Sequence, residues 1–406
     1  MPAQPRIPPV WMMGLTDLPF GMVSTFTVTT LPQLLAAQGI PGGHIAAMTA
    51  FALSPGWWAF LFSPMLDVRF RRRTYALLLG FVAATAVAYI TFDHHNLLMV
   101  EIAAFTGNIA SALYQGAVGG WTGSLIHKEQ DALLSSWFIA ACIGAGGLMA
   151  LAGEPIIQHL PPALASALMF AIVAAPMAFF IAIPAPEPDK VLAAESFGRF
   201  WREVFSLFKR RQVLIAMVLF IFPSASFALT NVIAGLGGDY HVSADVASFL
   251  LAVGYIVAGV AGIVVVPLLA KRFPLRPVYL GIGVAGALFT LSSLLLPRTP
   301  FAFAAVFAGE LIFQSLALTT ATGIIFQVIG PDNPLAATTF TVLTSVMIVP
   351  IFYMGIMDGW SYDSGGLVGC YAVDAGLGLA ACLLLAYALR RWLFAPRAQE
   401  PETESA

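Results

Sequence analysis

Twelve apolar runs, each close to the roughly 20 residues that a helix rising about 1.5 Å per residue needs to cross a bilayer, dominate this chain. They fall at about 10–36, 43–66, 74–92, 97–126, 132–153, 163–184, 212–236, 245–270, 277–296, 301–328, 335–357 and 366–390. With 59% hydrophobic and 10% charged residues and a mean hydropathy of +0.86, the chain has less than half the charge of an ordinary soluble domain. The expectation is an all-α membrane protein of twelve transmembrane helices.

The basic residues orient it. If the N-terminus is cytoplasmic and the runs alternate sides, all nineteen Lys and Arg except Arg298 face the cytoplasm, the positive-inside pattern. A missed or extra span would scramble that bias. Both termini are therefore expected to be cytoplasmic, in the cell inner (plasma) membrane. The opening Met1–Pro9 stretch lacks the charged, apolar, small-residue order of a cleaved signal peptide, so the first helix is expected to be retained. The net charge of −2, with basic residues dispersed among short loops, points away from nucleic acid. Cys142, Cys370 and Cys382 sit in or at the edge of apolar runs with no CxxC spacing, so no disulfide framework, metal site or cofactor is expected.

One stretch repeats. Ser63–Arg73 joins the second and third runs and holds Asp67, Arg69, Arg71, Arg72 and Arg73. A fainter copy, Pro267–Arg276, lies 203 residues downstream, half the chain away, with Pro, Leu, Arg, Phe and Arg at one ungapped offset. Both follow the second run of their half, where a duplicated six-helix unit would put them. The expected domains are an N-terminal six-helix bundle (1–184), a cytoplasmic linker (185–211), a C-terminal six-helix bundle (212–394) and a disordered tail (395–406). In the linker, Phe197, Phe200, Trp201, Val204, Phe205 and Phe208 recur with helical spacing among basic residues, which predicts an amphipathic helix in the membrane interface.

Polar residues within spans mark a bundle's interior or a water-filled path. Here they concentrate on one run in three, the first, fourth, seventh and tenth, as nested repeats around one central cavity would place them. On the fourth run, Glu101, Phe105, Asn108, Ala112 and Gln115 form one helical stripe; on the tenth, Phe303, Phe307, Glu310 and Gln314 form another. Asp17 on the first run and Asn231 on the seventh complete the candidate substrate and proton cavity: Asp17, Glu101, Phe105, Asn108, Gln115, Asn231, Phe307, Glu310 and Gln314. The competing reading has the amides bonding helix to helix and the rings facing lipid. Glu310 follows Pro300 by ten positions, about 15 Å into the bilayer. A charged carboxylate there is costly, which suits it to loading and releasing a proton as access alternates.

Asp67 and the arginines that follow it are a candidate cytoplasmic gate: the carboxylate pairs with basic residues in one access state and releases them in the other. Anchoring of the arginines to anionic headgroups is the alternative. Ala270 replaces the acid in the second copy, so such a latch is asymmetric.

With twelve spans, two six-helix halves, a long central linker and an Asp–Arg cluster after span two, the chain resembles the major facilitator superfamily. Within it the chain most resembles the AmpG-type muropeptide permeases and their acetyl-CoA-transporter relatives. The residues that carry this are Leu18-Pro19, Phe60–Asp67 with the following arginines, Gly309-Glu310, and Ala337–Ser345. Two departures stand out. Phe70 occupies a place where that loop commonly has Gly, and Gln115–Trp121 lacks the two aspartates that usually follow the Gln of helix four.

The resemblance implies a secondary active transporter that moves a medium-sized polar organic solute inward by alternating access, coupled to protons, as a monomer. The alternatives are a transport-dead sensor on the same scaffold and a siderophore permease in place of a muropeptide permease. An enzyme is not expected. His44, His94, His95, His127, His159 and His241 all fall in loops or at span ends, and no HExxH or GxSxG is present. No run contains a ring-forming charged or Gly-rich filter segment, which argues against a channel.

Overall fold

In the computed structural model, residues 7–186, 202, 204–331 and 333–393 are described, and none of them lies in a strand. Nine helices among them are long and apolar enough to cross a membrane. Helices suit this solvent because each closes its own backbone hydrogen bonds where no water is available. The crossing segments are α1 (Val10–Ala37), α3 (Arg72–Phe92), α4 (Leu97–Gly123), α5 (Asp131–His159), α6 (Pro162–Ile181), α8 (Ala244–Ala270), α9 (Leu275–Ser293), α10 (Pro300–Ile329), and α11 and α12 within Ala336–Ala388. Two more are broken. The second, α2, runs through Gly42–Leu53, Pro55–Trp58, Ala59–Leu61 and Ser63–Asp67; the seventh, α7, comprises Arg211–Ile221, Leu229–Val232 and Ile233–Tyr240.

The breaks have local causes. Pro55 and Pro64 each open a new piece of α2, because a proline has no N–H to continue the ladder. In α7 the helix stops before Pro223 and resumes after Phe227, which takes φ 47°. Between α11 and α12 no loop intervenes. Gly366, at φ 59° and ψ −153°, turns the chain alone, in a region of backbone space that is essentially glycine's.

Each half has a dry core of its own, and a third cluster spans both. Phe26, Val100 and Met169 centre the first core; Phe303, Phe307 and Tyr371 centre the second. The shared cluster lies toward the face that carries Arg69–Arg73 and Arg276, the basic face, and joins Leu66, Trp121 and Phe138 to Phe326, Phe340 and Leu343. The halves meet where α5 packs on α8 and α10, and where α2 and α4 pack on α11.

Of the apolar stripe in the linker, Phe197, Phe200 and Trp201 lie outside the described residues. Phe205 is 62% exposed, whereas Val204, with Leu207 near it, is buried on Leu335 and against Val68. This end of the linker therefore rests on protein, bridging a loop of each half. The predicted tail, 395–406, also lies outside the described residues.

Candidate functional site

The basic face is shut, and Asp67 is central to the closure. Its Oδ2 accepts from the Thr338 N–H at 2.8 Å and the Thr338 hydroxyl at 2.7 Å; its Oδ1 accepts from the Ala337 N–H at 3.1 Å and Arg72 Nε at 2.8 Å. Those N–H groups belong to the first turn of α11, whose own N-cap residue, Leu335, makes no side-chain cap bond. A helix start leaves such donors without intrahelical partners and carries partial positive charge. A carboxylate of one half thus caps a helix of the other.

Arg72 extends the clasp. Its Nη2 donates to Asn333 O at 3.0 Å and Pro334 O at 2.9 Å, and its Nη1 to Ser124 Oγ at 3.4 Å. Of the five predicted gate residues, the structure brings Asp67 and Arg72 to the seam. Arg69 and Arg71 are exposed, and Arg73 is half-buried on the first turn of α3. Arg69 also supplies the left-handed turn of the loop, at φ 71°. Replacing Arg72 with Lys keeps the charge but not the fork that reaches four acceptors. Arg72→Lys is expected to raise the alkylation rate of a cysteine placed at Thr341, in the closed seam, by about tenfold, the loss of one to two hydrogen bonds.

A flat helix face completes the seal. Gly116, Gly119, Gly120 and Gly123 repeat at i, i+3, i+4, i+7, one side of α4. They meet Thr341, the Phe340 ring, the backbone of Ala336 and Ala337, and the Phe326 ring respectively. Side chains at these positions would hold α4 away from α10 and α11. Beside this face, Phe138 of α5 stands edge-on to Phe326 (5.8 Å) and Phe340 (5.7 Å), tying three helices from both halves.

One turn above the seal lies Asp17. It sits in a tight turn of α1, Leu15–Asp17, just before Pro19, and has no solvent exposure. Gln115 Nε2 of α4 donates to its Oδ2 at 3.1 Å, while its Oδ1 has no partner. Farther along the same two helices, Asn108 Nδ2 donates to Thr27 Oγ1 at 2.9 Å, within a π-helical stretch, Phe26–Thr30. The second half repeats the device. Gln314 Nε2 of α10 donates to Thr230 Oγ1 at 2.6 Å and to Phe227 O at 3.4 Å, at the break in α7. Asn231 is on the same short helix, Leu229–Val232; its side chain lies outside the described residues.

The nine predicted cavity residues do not converge on one wet chamber. Glu310 is fully buried inside the C-terminal half, where Thr290 of α9 donates to its Oε1 and its Oε2 has no partner. Its electrostatic neighbours are Asp374 of α12 and Asp358 of α11. Phe307 packs against Phe303, which in turn meets Tyr240; both rings belong to the dry core. These two placements differ from the expected cavity lining, because the face of α10 carrying Phe303, Phe307 and Glu310 turns toward α7, α9, α11 and α12 of its own half. Phe105 stacks on Phe51 of α2 at 4.7 Å and lies 6.0 Å from Trp58. Glu101 is half-buried near the start of α4.

Away from the basic face an open groove lies mainly on the N-terminal half, with Phe352 on its C-terminal side, while α5 and α8 stay packed, Gly147 against Ala252. Pro32 and Ala36 of α1, Ile45, Thr49 and Leu53 of α2, and Phe352 of α11 line a cavity of about 580 Å³. Only Thr49 among these carries a polar group. The packing of α2 on α11 runs along Pro55–Asp67, below this cavity.

Sequence reasoning passed over three features. Asp358 stood one residue beyond the assigned end of the eleventh run, and Asp374 lay on a run outside the one-in-three pattern. The glycine face of α4 was read only for the aspartates it lacks, although its i, i+3, i+4, i+7 spacing was there to be counted.

These features define an all-helical, multi-pass membrane protein of two six-helix halves, clasped together at the basic face. Its fold is that of the major facilitator transporters. The E. coli fucose:proton symporter FucP superposes with a TM-score of 0.70 at 12% identity, covering 93% of this chain and 98% of that one. The human organic anion transporter MFSD10 gives 0.66 at 15%, covering 93% and 98%, and a D-xylose-proton symporter 0.64 at 15%, covering 95% and 97%. No family profile and no curated protein sequence matches the chain.

Proposed function

We propose that this protein is a secondary active transporter that brings a medium-sized polar organic solute into the cell by alternating access, driven by protons, and that the structure represents its outward-facing state. The observation that carries this is the asymmetry of the seam. Asp67, Arg72 and the α4 glycines bind the halves at the basic face, while the other end of α2 parts from α11 around an open cavity. The positive-inside pattern supports a cytoplasmic basic face, and the membrane proposed is the inner one. A carrier built this way opens inward by breaking the Asp67 clasp and closing the outer cavity.

Proton coupling rests on two acids sealed from water. Asp17 lies next to the gate and Glu310 lies in the C-terminal half, each with one unpartnered oxygen; the solved structures of this fold include proton symporters. The AmpG-like residues favour a muropeptide-like cargo. The glycines where that group has aspartates favour a different one, such as a siderophore.

A thermal-shift screen of the purified protein against muropeptides, siderophores, sugars, nucleotides and peptides is expected to yield a stabilising solute. That solute should then accumulate in proteoliposomes under an inside-alkaline gradient. Binding without accumulation would make the protein a sensor. Glu310→Gln is expected to abolish concentrative uptake while leaving counterflow of the same solute intact; unchanged proton-driven uptake would remove Glu310 from the coupling step.

A further inference from the structure

The C-terminal half holds three buried carboxyl groups with no basic partner. Glu310 and Asp358 have no solvent exposure, and Asp374 is buried. Glu310 Oε2, Asp374 Oδ1 and both oxygens of Asp358 make no hydrogen bond. From Arg298 to Arg390 the sequence has no Lys, Arg or His between them, so α10, α11 and α12 bring no cation to the site. Asp358 and Asp374 each lie eight residues from Gly366, about 12 Å along helices that run side by side from that turn. Glu310, ten residues into α10, lies in the same layer.

An isolated carboxylate in such surroundings costs several kcal/mol or more, and a native structure avoids that by neutralising it. Two neutralisers are available, a metal cation or protons. A cation needs several oxygens converging on one point, and no group of three acidic, His or Cys side chains among the described residues is close enough to hold one. The one strong bond in the cluster comes from the Thr290 hydroxyl to Glu310. The other groups around it are the Cys370 thiol, the Tyr371 and Tyr240 hydroxyls, which lie 3.4 Å apart, and, toward the outer rim, Asp239 bonded to Tyr362. None of these supplies positive charge; Arg298, just before α10, reaches Tyr362 electrostatically but none of the three carboxyl groups.

We propose that Glu310, Asp358 and Asp374 form a proton-storage site that takes H⁺ and no metal ion, with Asp358 and Asp374 as coupling residues alongside Glu310. The inference deepens the proposed transport function and rests on it for its biological meaning. Each neutral carboxyl that opens to water releases one H⁺ and leaves one carboxylate, so the cluster carries up to three protons per cycle and moves no other atom. Asp358 shares α11 with Thr338, the residue that Asp67 clasps at the other end of the helix. A charge left at Asp358 therefore acts on the same element that closes the gate.

Infrared spectroscopy of the purified full chain in nanodiscs tests this without a transported solute. At neutral pH the wild type is expected to show the C=O stretch of protonated carboxyl groups, shifted on slow exchange into D₂O. Asp358→Asn, Asp374→Asn and Glu310→Gln should each remove about a third of the cluster's share, with redistribution among the remaining coupled groups. Because Asp17 is a fourth buried carboxyl with an unpartnered oxygen, the comparison is made in an Asp17→Asn parent: absence of the band there, a band undiminished by the three substitutions, or a band erased by Na⁺ at constant pH would each overturn the proposal. The Asp17→Asn spectrum decides by itself if a cluster variant fails to fold. It can fail while solute accumulation stands, and stand while accumulation fails.

Discussion

Asp67→Ala is expected to open the basic face. In a Cys142→Ser background carrying Thr341→Cys, alkylation by an impermeant maleimide from the basic face should rise about 100-fold, while a cysteine at exposed Gln33, on the open side, should become slower to react. The physical reason is the number of donors that one carboxylate serves. Its removal strips the first turn of α11 of its cap at Ala337 and Thr338, frees the Thr338 hydroxyl, and leaves Arg72 in the seam without its anion. Hydrogen bonds to a charged group contribute about 1.5–3 kcal/mol each, and three of these, from Ala337 and Thr338, cross the seam. About 3 kcal/mol, a low figure for the set, is roughly two powers of ten in a gate equilibrium. That loss falls on the closed state alone, because those donors and Asp67 sit on opposite halves, whereas Arg72 shares Asp67's half; once the basic face opens, water serves both. Asp67→Asn should fall between, since an amide keeps one acceptor but presents an NH₂ to a site made of donors. If the Thr341→Cys rate stayed within twofold of the parent in both variants, the clasp would have no part in gating.

The fold was readable from the chain because lipid imposes a coarse and redundant rule. A span must be apolar for its whole length, and the loops must sort by charge, so most crossing segments fall within a few residues of the runs assigned from hydropathy, while α5 continues to His159 and α11 to the turn at Gly366, beyond the assigned ends at 153 and 357. The site was less readable, for a reason visible at Glu310. A polar residue within a span announces that it faces away from lipid, but not whether it faces water or another helix. On α4 two residues of the stripe bond to α1, Asn108 to Thr27 and Gln115 to Asp17. On α10 the same kind of stripe faces inward, where Thr290, Asp358 and Asp374 come from helices that carried little polar signal. Asp67 stood out as a carboxylate at a span end, but its partners across the seam are the backbone N–H groups of Ala337 and Thr338 and the Thr338 hydroxyl, and backbone groups leave no mark in a sequence. The Val204–Leu207 segment carries a related ambiguity: an apolar stripe suits a protein groove as well as a membrane interface.

Gly120→Ala is expected to open the same face by a different route, and to reveal that both routes pass through one residue. A Cβ at Gly120 would fall 2.7 Å from the backbone carbon of Ala336 and closer still to Ala337, where no side chain can rotate aside. Overpacking of this kind costs about 1–3 kcal/mol, so alkylation at Thr341→Cys should rise about 5- to 100-fold. Gly281→Ala, which adds a Cβ with nothing within 4 Å, should leave that rate unchanged and serves as the control for helix propensity. The informative measurement is the pair. To admit the new methyl group, α11 must move its first turn, and Ala337 is both the residue that Gly120 touches and a donor to Asp67. The displaced turn no longer presents its N–H groups to the carboxylate, so Gly120→Ala already spends much of what Asp67→Ala removes. In a double-mutant cycle the combined shift should fall short of the sum by about 1 kcal/mol or more, the coupling expected of residues that share a partner. Strict additivity would mean that the glycine face and the carboxylate clasp close the basic face independently, and the picture of a single α11 terminus held by both would have to be given up.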